Sequence, residues 1–257
     1  MIIYVNGDSH SAGAELVKDY CFADDDQRYV YLGRTPHPEA IPKTFGSHLA
    51  HALNAGYFLD AESASSNYRI LRTTKQFLEE KYSTTKTIII GWSTWEREEL
   101  WHEDRYYQLT ASGSDSVPDE LFDTYQSWVM EQTEDNLRVK QEYWHKQIYD
   151  FHKKLQEQGI KHLFFNSMQS FNEKWTGKLN WDNCYIDPYN QSMTFSNWAK
   201  ENGFLPANGG NHYKEDTHVG WYKVLLKRLT NDYKTSTINV TTVKSNVQPF
   251  TGLTGSK

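Results

Sequence analysis

Cysteine is scarce: Cys21 and Cys184 are the only two in 257 residues. Two cysteines could pair, but they build no disulfide framework, so the chain is expected to work in a reducing compartment. Basic residues are scarce too. Lys and Arg total 27 against 33 Asp and Glu, for a net charge of −6, and no long basic block occurs. That excludes a nucleic-acid footprint. Long apolar runs are missing as well. None approaches the ~20 residues of a membrane span, and Met1 leads directly into an apolar strand rather than a secretory leader. A soluble protein of a cytoplasm is the expectation. What the chain has in quantity is aromatics, 15% of residues with 9 Trp and 17 Tyr. So many rings suit a packed core, and also a cleft that stacks a flat or sugar-like ligand.

Periodicity predicts a single α/β domain over residues 1–233, followed by a loose Thr/Ser/Asn/Gly-rich tail over 234–257. Short apolar runs read as strands at Ile2–Val5, Tyr57–Leu59, Thr87–Ile90 and His162–Asn166. Helical spacing covers 11–20, 43–54, 68–82, 134–158 and 216–233. Residues 95–133, charged and aromatic, read as an irregular insertion, and 175–206 as mostly loop with a short helix near Ser196. Alternating strands and helices predict a three-layer α/β/α arrangement around a mostly parallel sheet, with ligands at the carboxyl ends of its strands. The small polar segments 7–10, 63–67 and 91–93 follow the first three strands, so all three belong to that edge.

The first of these segments carries the chemistry. In Asn6-Gly7-Asp8-Ser9-His10, Gly7 permits a tight strand-to-helix turn, and Ser9 falls at a helix N-terminus where free N–H groups favour an oxyanion. The competing reading makes Asp8 or Ser9 only a helix cap. A serine nucleophile needs a base. Gly209-Gly210-Asn211-His212 offers one in a glycine-led loop before the last helix, and His218 offers another within that helix. His212 is preferred for its freedom to lean toward Ser9.

Gly7-Asp8-Ser9 after the first strand, with His212 before the last helix, resembles the SGNH or GDSL-type hydrolase superfamily over roughly residues 1–230. The strings 63–74 and 91–98 also resemble an uncharacterised branch of it in tailed phages of aquatic bacteria. The resemblance implies a flavodoxin-like fold and a serine ester hydrolase acting on a small-molecule or carbohydrate ester without cofactor or metal. It also implies location in a host cytoplasm or association with a virion. Three family positions differ, the first being the glycine usual after the second strand, where Ser63-Ala64-Ser65-Ser66-Asn67 stands. Serine stands where Gly-x-Asn is usual, at Gly91-Trp92-Ser93, and Gly209 stands where an aspartate usually precedes the histidine by three. Asn67 or Ser93 could then supply the oxyanion side chain, with Asn67 alternatively capping a helix. Asp216 could orient the histidine or cap the last helix, or a carbonyl could leave a Ser-His dyad. Arg97 could bind an anionic substrate group or pair with a carboxylate. Two other readings stay open. The degraded motifs suit a non-catalytic binding module. Asp8-x-His10 and Gly210-Asn211-His212 echo a metal-dependent phosphoesterase.

Overall fold

The computed structural model describes residues 1–17, 35–80, 85–111, 117–207, 210 and 212–231. The acidic stretch with Cys21, Asn211 and the tail from 232 lie outside them. Four strands form one parallel sheet: β1 (Ile2–Gly7), β2 (Gly56–Leu59), β3 (Lys86–Trp92) and β6 (Lys161–Asn166), in the order β2-β1-β3-β6. This is the doubly wound order of flavodoxin-like sheets. Tyr185 bridges Phe164 in parallel, so residues 184–186 sit where such a sheet would have a fifth strand.

Central strands are buried on both faces, which is why β3 reads as an unbroken β-branched run instead of alternating. Their side chains still divide by parity. Tyr4, Ile88, Ile90 and Phe164 meet α3 (Asn67–Glu79) and α5 (Glu134–Glu157) through Ile70, Trp144, Ile148 and Phe151. Ile3, Val5, Ile89, Leu163 and Phe165 meet α2 (Phe45–Ala52), α7 (Phe195–Glu201) and α8 (Glu215–Asn231) through Phe45, Leu49, Phe195, Trp221 and Leu225. Each such aliphatic or aromatic side chain contributes about 1.5–3 kcal/mol by leaving water. No helix among the described residues is long and apolar enough to cross a membrane.

Two readings change. The first helix is far shorter than 11–20: α1 spans Ser9–Ala12, and Gly13, in the left-handed region at φ 75°, ends it. The stretch 95–133 is not irregular. It holds an antiparallel hairpin, β4 (Glu98–His102) and β5 (Arg105–Leu109), and α4 (Phe122–Met130), packed around Tyr107, Leu109, Leu121, Tyr125 and Trp128. A four-residue α6 (Glu173–Thr176) follows β6.

Candidate active site

β1 and β3 end level, with Gly7 opposite Gly91. A Cβ on Gly7 would lie 2.3 Å from Ser11 Oγ and 2.8 Å from the Gly91 carbonyl, so only glycine lets α1 start this close to the sheet. Asp8 is the N-cap: its carboxylate accepts from the His10 N–H at 3.1 Å. The capping role therefore falls to Asp8 and leaves the Ser9 side chain without it. Ser9 is the first helical residue, 6% exposed, and its hydroxyl makes no hydrogen bond among the described residues. Its N–H has no acceptor within the helix.

Asp8 is fully buried and anchors a second set of groups. Ser93 Oγ donates to Asp8 Oδ2 at 3.1 Å, and Arg97 Nη1 donates to Ser93 Oγ at 2.9 Å while standing 3.8 Å from Asp8 Oδ2. Burial opposes ionisation of Asp8, but hydrogen bonding to His10 and the charges of His10 and Arg97 outweigh it and hold the carboxyl at about 2. This corrects the reading of Ser93 and decides between the two readings of Arg97. Ser93 directs its single hydroxyl proton to Asp8 and has none left for an oxyanion. Arg97 is an ion-pair partner of the protein's own carboxylate, and in this geometry it does not reach for substrate.

Asn67 is corrected as well. Ser66, one residue earlier, caps α3 by accepting from the Arg69 N–H. Asn67 is buried, and its amide pairs with strand-end backbone: Nδ2 donates to the Ser93 carbonyl at 3.1 Å and Oδ1 accepts from the Ser93 N–H at 2.8 Å. It ties the second loop to the third and faces no open space. Asn67→Ala would leave the buried Ser93 N–H unsatisfied at a cost of about 1–3 kcal/mol. At ~2–4 °C per kcal/mol for a domain of this size, Tm should fall by several degrees. A thermal melt superimposing on wild type would remove this role.

The C-terminal loop lands on α1. The His212 ring centroid lies 5.2 Å from that of His10, and His212 Nδ1 lies 2.8 Å from Glu15 Oε1. Because a carboxylate only accepts, Nδ1 carries the proton and Nε2 presents its lone pair. Nε2 makes no hydrogen bond among the described residues. Burial, with a smaller push from His10, lowers the imidazole to about 4 despite Glu15, so His212 is neutral at pH 7. Of the two readings of Asp216, orienting this histidine fails: it is exposed in the first turn of α8 and accepts from the Thr217 N–H at 2.7 Å. His218 is a core residue. It stacks on Phe45, accepts the Phe45 N–H at Nδ1, and is pushed by burial to about 3.

Glu15 is the residue the sequence reading missed. It sits just past the Gly13 cap at φ 63°, its side chain 8% exposed, and 197 residues separate it from its partner. No local motif marks such a pair.

The arrangement is that of a doubly wound α/β domain in which a histidine–carboxylate pair packs against His10, next to Ser9, where β1 turns into α1. No family model and no curated protein matches the chain. Among solved structures it is similar to a carbohydrate esterase whose active site is described as displaying divergent catalytic and non-catalytic binding functions. That match has 15% identity and TM-score 0.45, and covers 90% of this chain and 64% of the other. It is also similar to a carbohydrate esterase family 2 enzyme with a carbohydrate-binding domain from Corynascus thermopiles (Myceliophthora fergusii). There the identity is 18% and the TM-score 0.42, over 91% of this chain and 66% of that one. The chain thus spans just under two thirds of the length of either.

Proposed function

We propose that the chain is a serine ester hydrolase in which Ser9 is the nucleophile, His212 the base and Glu15 the residue that orients the base. The observation that carries this reading is the 2.8 Å approach of His212 Nδ1 to Glu15 with the His212 ring packed on His10, the residue after Ser9. In the acylation step Ser9 Oγ attacks the ester carbonyl and passes its proton to His212 Nε2. His212 then gives that proton to the leaving alcohol, and water repeats the sequence on the acyl-serine. Glu15 stabilises the imidazolium formed in each half. The Ser9 N–H is a donor for the tetrahedral oxyanion. With Asn67 and Ser93 engaged elsewhere, any further donor has to come from backbone, and the loop around Ala64, held at φ 66°, stands at the same sheet edge. The substrate class is an acyl ester of a small molecule or carbohydrate, in keeping with the resemblance to GDSL-type hydrolases.

The competing binding-module reading predicts no reaction at Ser9. Incubation with a fluorophosphonate probe, followed by peptide mapping, separates the two. Stoichiometric modification of Ser9, lost in the heat-denatured protein, is expected. A native protein that stays unlabelled while a control serine hydrolase reacts would sink the proposal. The phosphoesterase reading predicts instead that ester turnover is lost when a divalent ion bound at this edge is chelated. Among the described residues, the group of three metal-ligating side chains lies elsewhere.

A further inference from the structure

At the opposite end of the sheet three donors converge: His152 near the end of α5, His162 at the second position of β6, and Cys184 in the loop beside that strand. One ligating atom from each lies within 4.8 Å of the others. His162 precedes the carboxyl end of β6 by four residues, about 13 Å of strand, so this cluster is separate from the Ser9 edge.

The backbone holds two of the three in place. Cys184 is pinned by its carbonyl accepting from the Phe164 N–H at 2.8 Å and its N–H donating to the Trp181 carbonyl at 2.7 Å. Arg228 of α8 clamps the same loop through the Asn183 and Tyr185 carbonyls, both at 3.1 Å. His162 Nδ1 lies 2.9 Å from the Ile160 carbonyl, so Nδ1 carries the proton and Nε2 the lone pair. Outer-shell bonding of this kind orients metal-binding histidines.

The two rings then leave a problem that a cation solves. His152 Nδ1 lies 2.8 Å from His162 Nε2. With no ion present, His152 must donate from Nδ1, and its Nε2 lone pair is turned toward Asp182 Oδ2 at 3.8 Å. That nitrogen is fully buried and has no hydrogen-bond partner among the described residues. Two acceptors face each other. A cation on Nδ1 moves the ring proton to Nε2, where it points at Asp182 and completes a carboxylate–histidine–metal arrangement.

We propose that His152 Nδ1, His162 Nε2 and Cys184 Sγ bind a zinc ion. Two imidazoles and a thiolate are a nitrogen–sulfur set that suits zinc rather than magnesium or calcium. Binding releases the Cys184 thiol proton to solvent. Tetrahedral zinc at about 2.0–2.1 Å from each nitrogen asks the two rings to part by roughly half an ångström. The fourth position goes to water. A cleft of about 320 Å³, lined by His162, Asn183, Cys184 and Arg228, opens beside the cluster.

The test uses untagged full-length chain, stripped with chelator and dialysed against zinc. About one equivalent of zinc per chain is expected, with a higher Tm than the stripped protein. Cobalt substitution should give the thiolate charge-transfer absorption in the near ultraviolet and the visible bands of a tetrahedral ion. Cys184→Ser should abolish the charge-transfer band. It should also weaken zinc binding by more than the roughly 10–100-fold typical of losing an outer-shell partner, while ester turnover at Ser9 is unchanged. Wild-type chain that retains no zinc after dialysis overturns the site whatever the variants do. So does a cobalt spectrum that Cys184→Ser leaves intact, or binding that magnesium displaces equally well.

Discussion

Ser9→Ala is expected to lower ester turnover by about a millionfold, the scale seen when a triad nucleophile is removed. His212→Ala should cost about as much, and the double variant hardly more than either, because a nucleophile and its base act as one unit. Glu15→Gln is the more informative change. An amide can accept as well as donate, so it no longer obliges His212 to keep its proton on Nδ1, and a wrong tautomer leaves Nε2 unable to take the Ser9 proton. Loss on the order of ten-thousandfold in kcat follows from that cause in a comparable triad. Glu15→Asp, which keeps the charge on a shorter arm, should recover part of it. The measurement is steady-state hydrolysis of a short-chain acyl ester, with circular dichroism to show each variant folded. Near-wild-type turnover in Glu15→Gln would remove Glu15 from the mechanism and leave a Ser-His dyad. Full activity in Ser9→Ala would remove the serine mechanism altogether.

The pH dependence has a defined sign. His212 works as a base only when neutral, and burial lowers its pKa to about 4. The acylation rate should therefore be level through neutrality and fall only in acid. Removing Glu15 deletes a carboxylate that favours the imidazolium, so the Glu15→Gln limb should move further into acid. A limb near the ordinary histidine value would show an exposed His212.

What was legible in the sequence was local. The run Thr87-Ile88-Ile89-Ile90 specifies a strand by its own branching, and Gly7-Asp8-Ser9 specifies a strand-to-helix turn by its own chemistry. The cap at Asp8 follows from residues within one turn of each other, whereas the shortness of α1, ended by Gly13, was not read from the sequence. Pairings that need the whole fold were not legible. Glu15 meets His212 only because the last loop is carried back over β1 by α7 and α8. Asn67 looked like a cap or a donor because both roles sit beside a helix start, whereas its partner, the Ser93 backbone, is 26 residues away. The β4–β5 hairpin was hidden for a different reason. Its two-residue turn, Glu103-Asp104, takes φ of 46° and 61°. Left-handed turns of this kind usually announce themselves with Asn-Gly or Asp-Gly. Here neither residue is glycine or asparagine, and the flanking Trp101–Tyr106 pair stays on the outside.

Acid should unfold the protein well before its carboxylates titrate. Burial lowers His145 and His212 to about 4 and His218 to about 3, against an ordinary value near 6.5. Each is neutral in the folded chain and takes up a proton on unfolding below that ordinary value. A depressed histidine therefore contributes no penalty above pH 6.5, and destabilises the fold progressively as pH falls from there toward its own folded pKa. A full proton of difference is worth about 1.4 kcal/mol per pH unit. These three groups alone steepen the loss to roughly 4 kcal/mol per unit once all are engaged, and His162, likewise lowered to about 4 by burial, adds to it, against a total stability of about 5–15 kcal/mol. Asp8 acts in a lower window. Its pKa of about 2 lies below the ordinary 3.8, so its contribution is lost only as pH falls below about 4. Urea midpoints measured from pH 7.5 to 4.5 should thus be level at the top and drop steeply below pH 6.5. His218→Gln isolates one group: its neutral amide keeps a polar side chain in the slot beside Phe45 and should shed about 1.4 kcal/mol per pH unit of the slope, even if it starts from lower stability at pH 7.5. A midpoint that stays flat down to pH 5, with the carboxylates alone setting the acid limb, would mean these imidazoles are open to water.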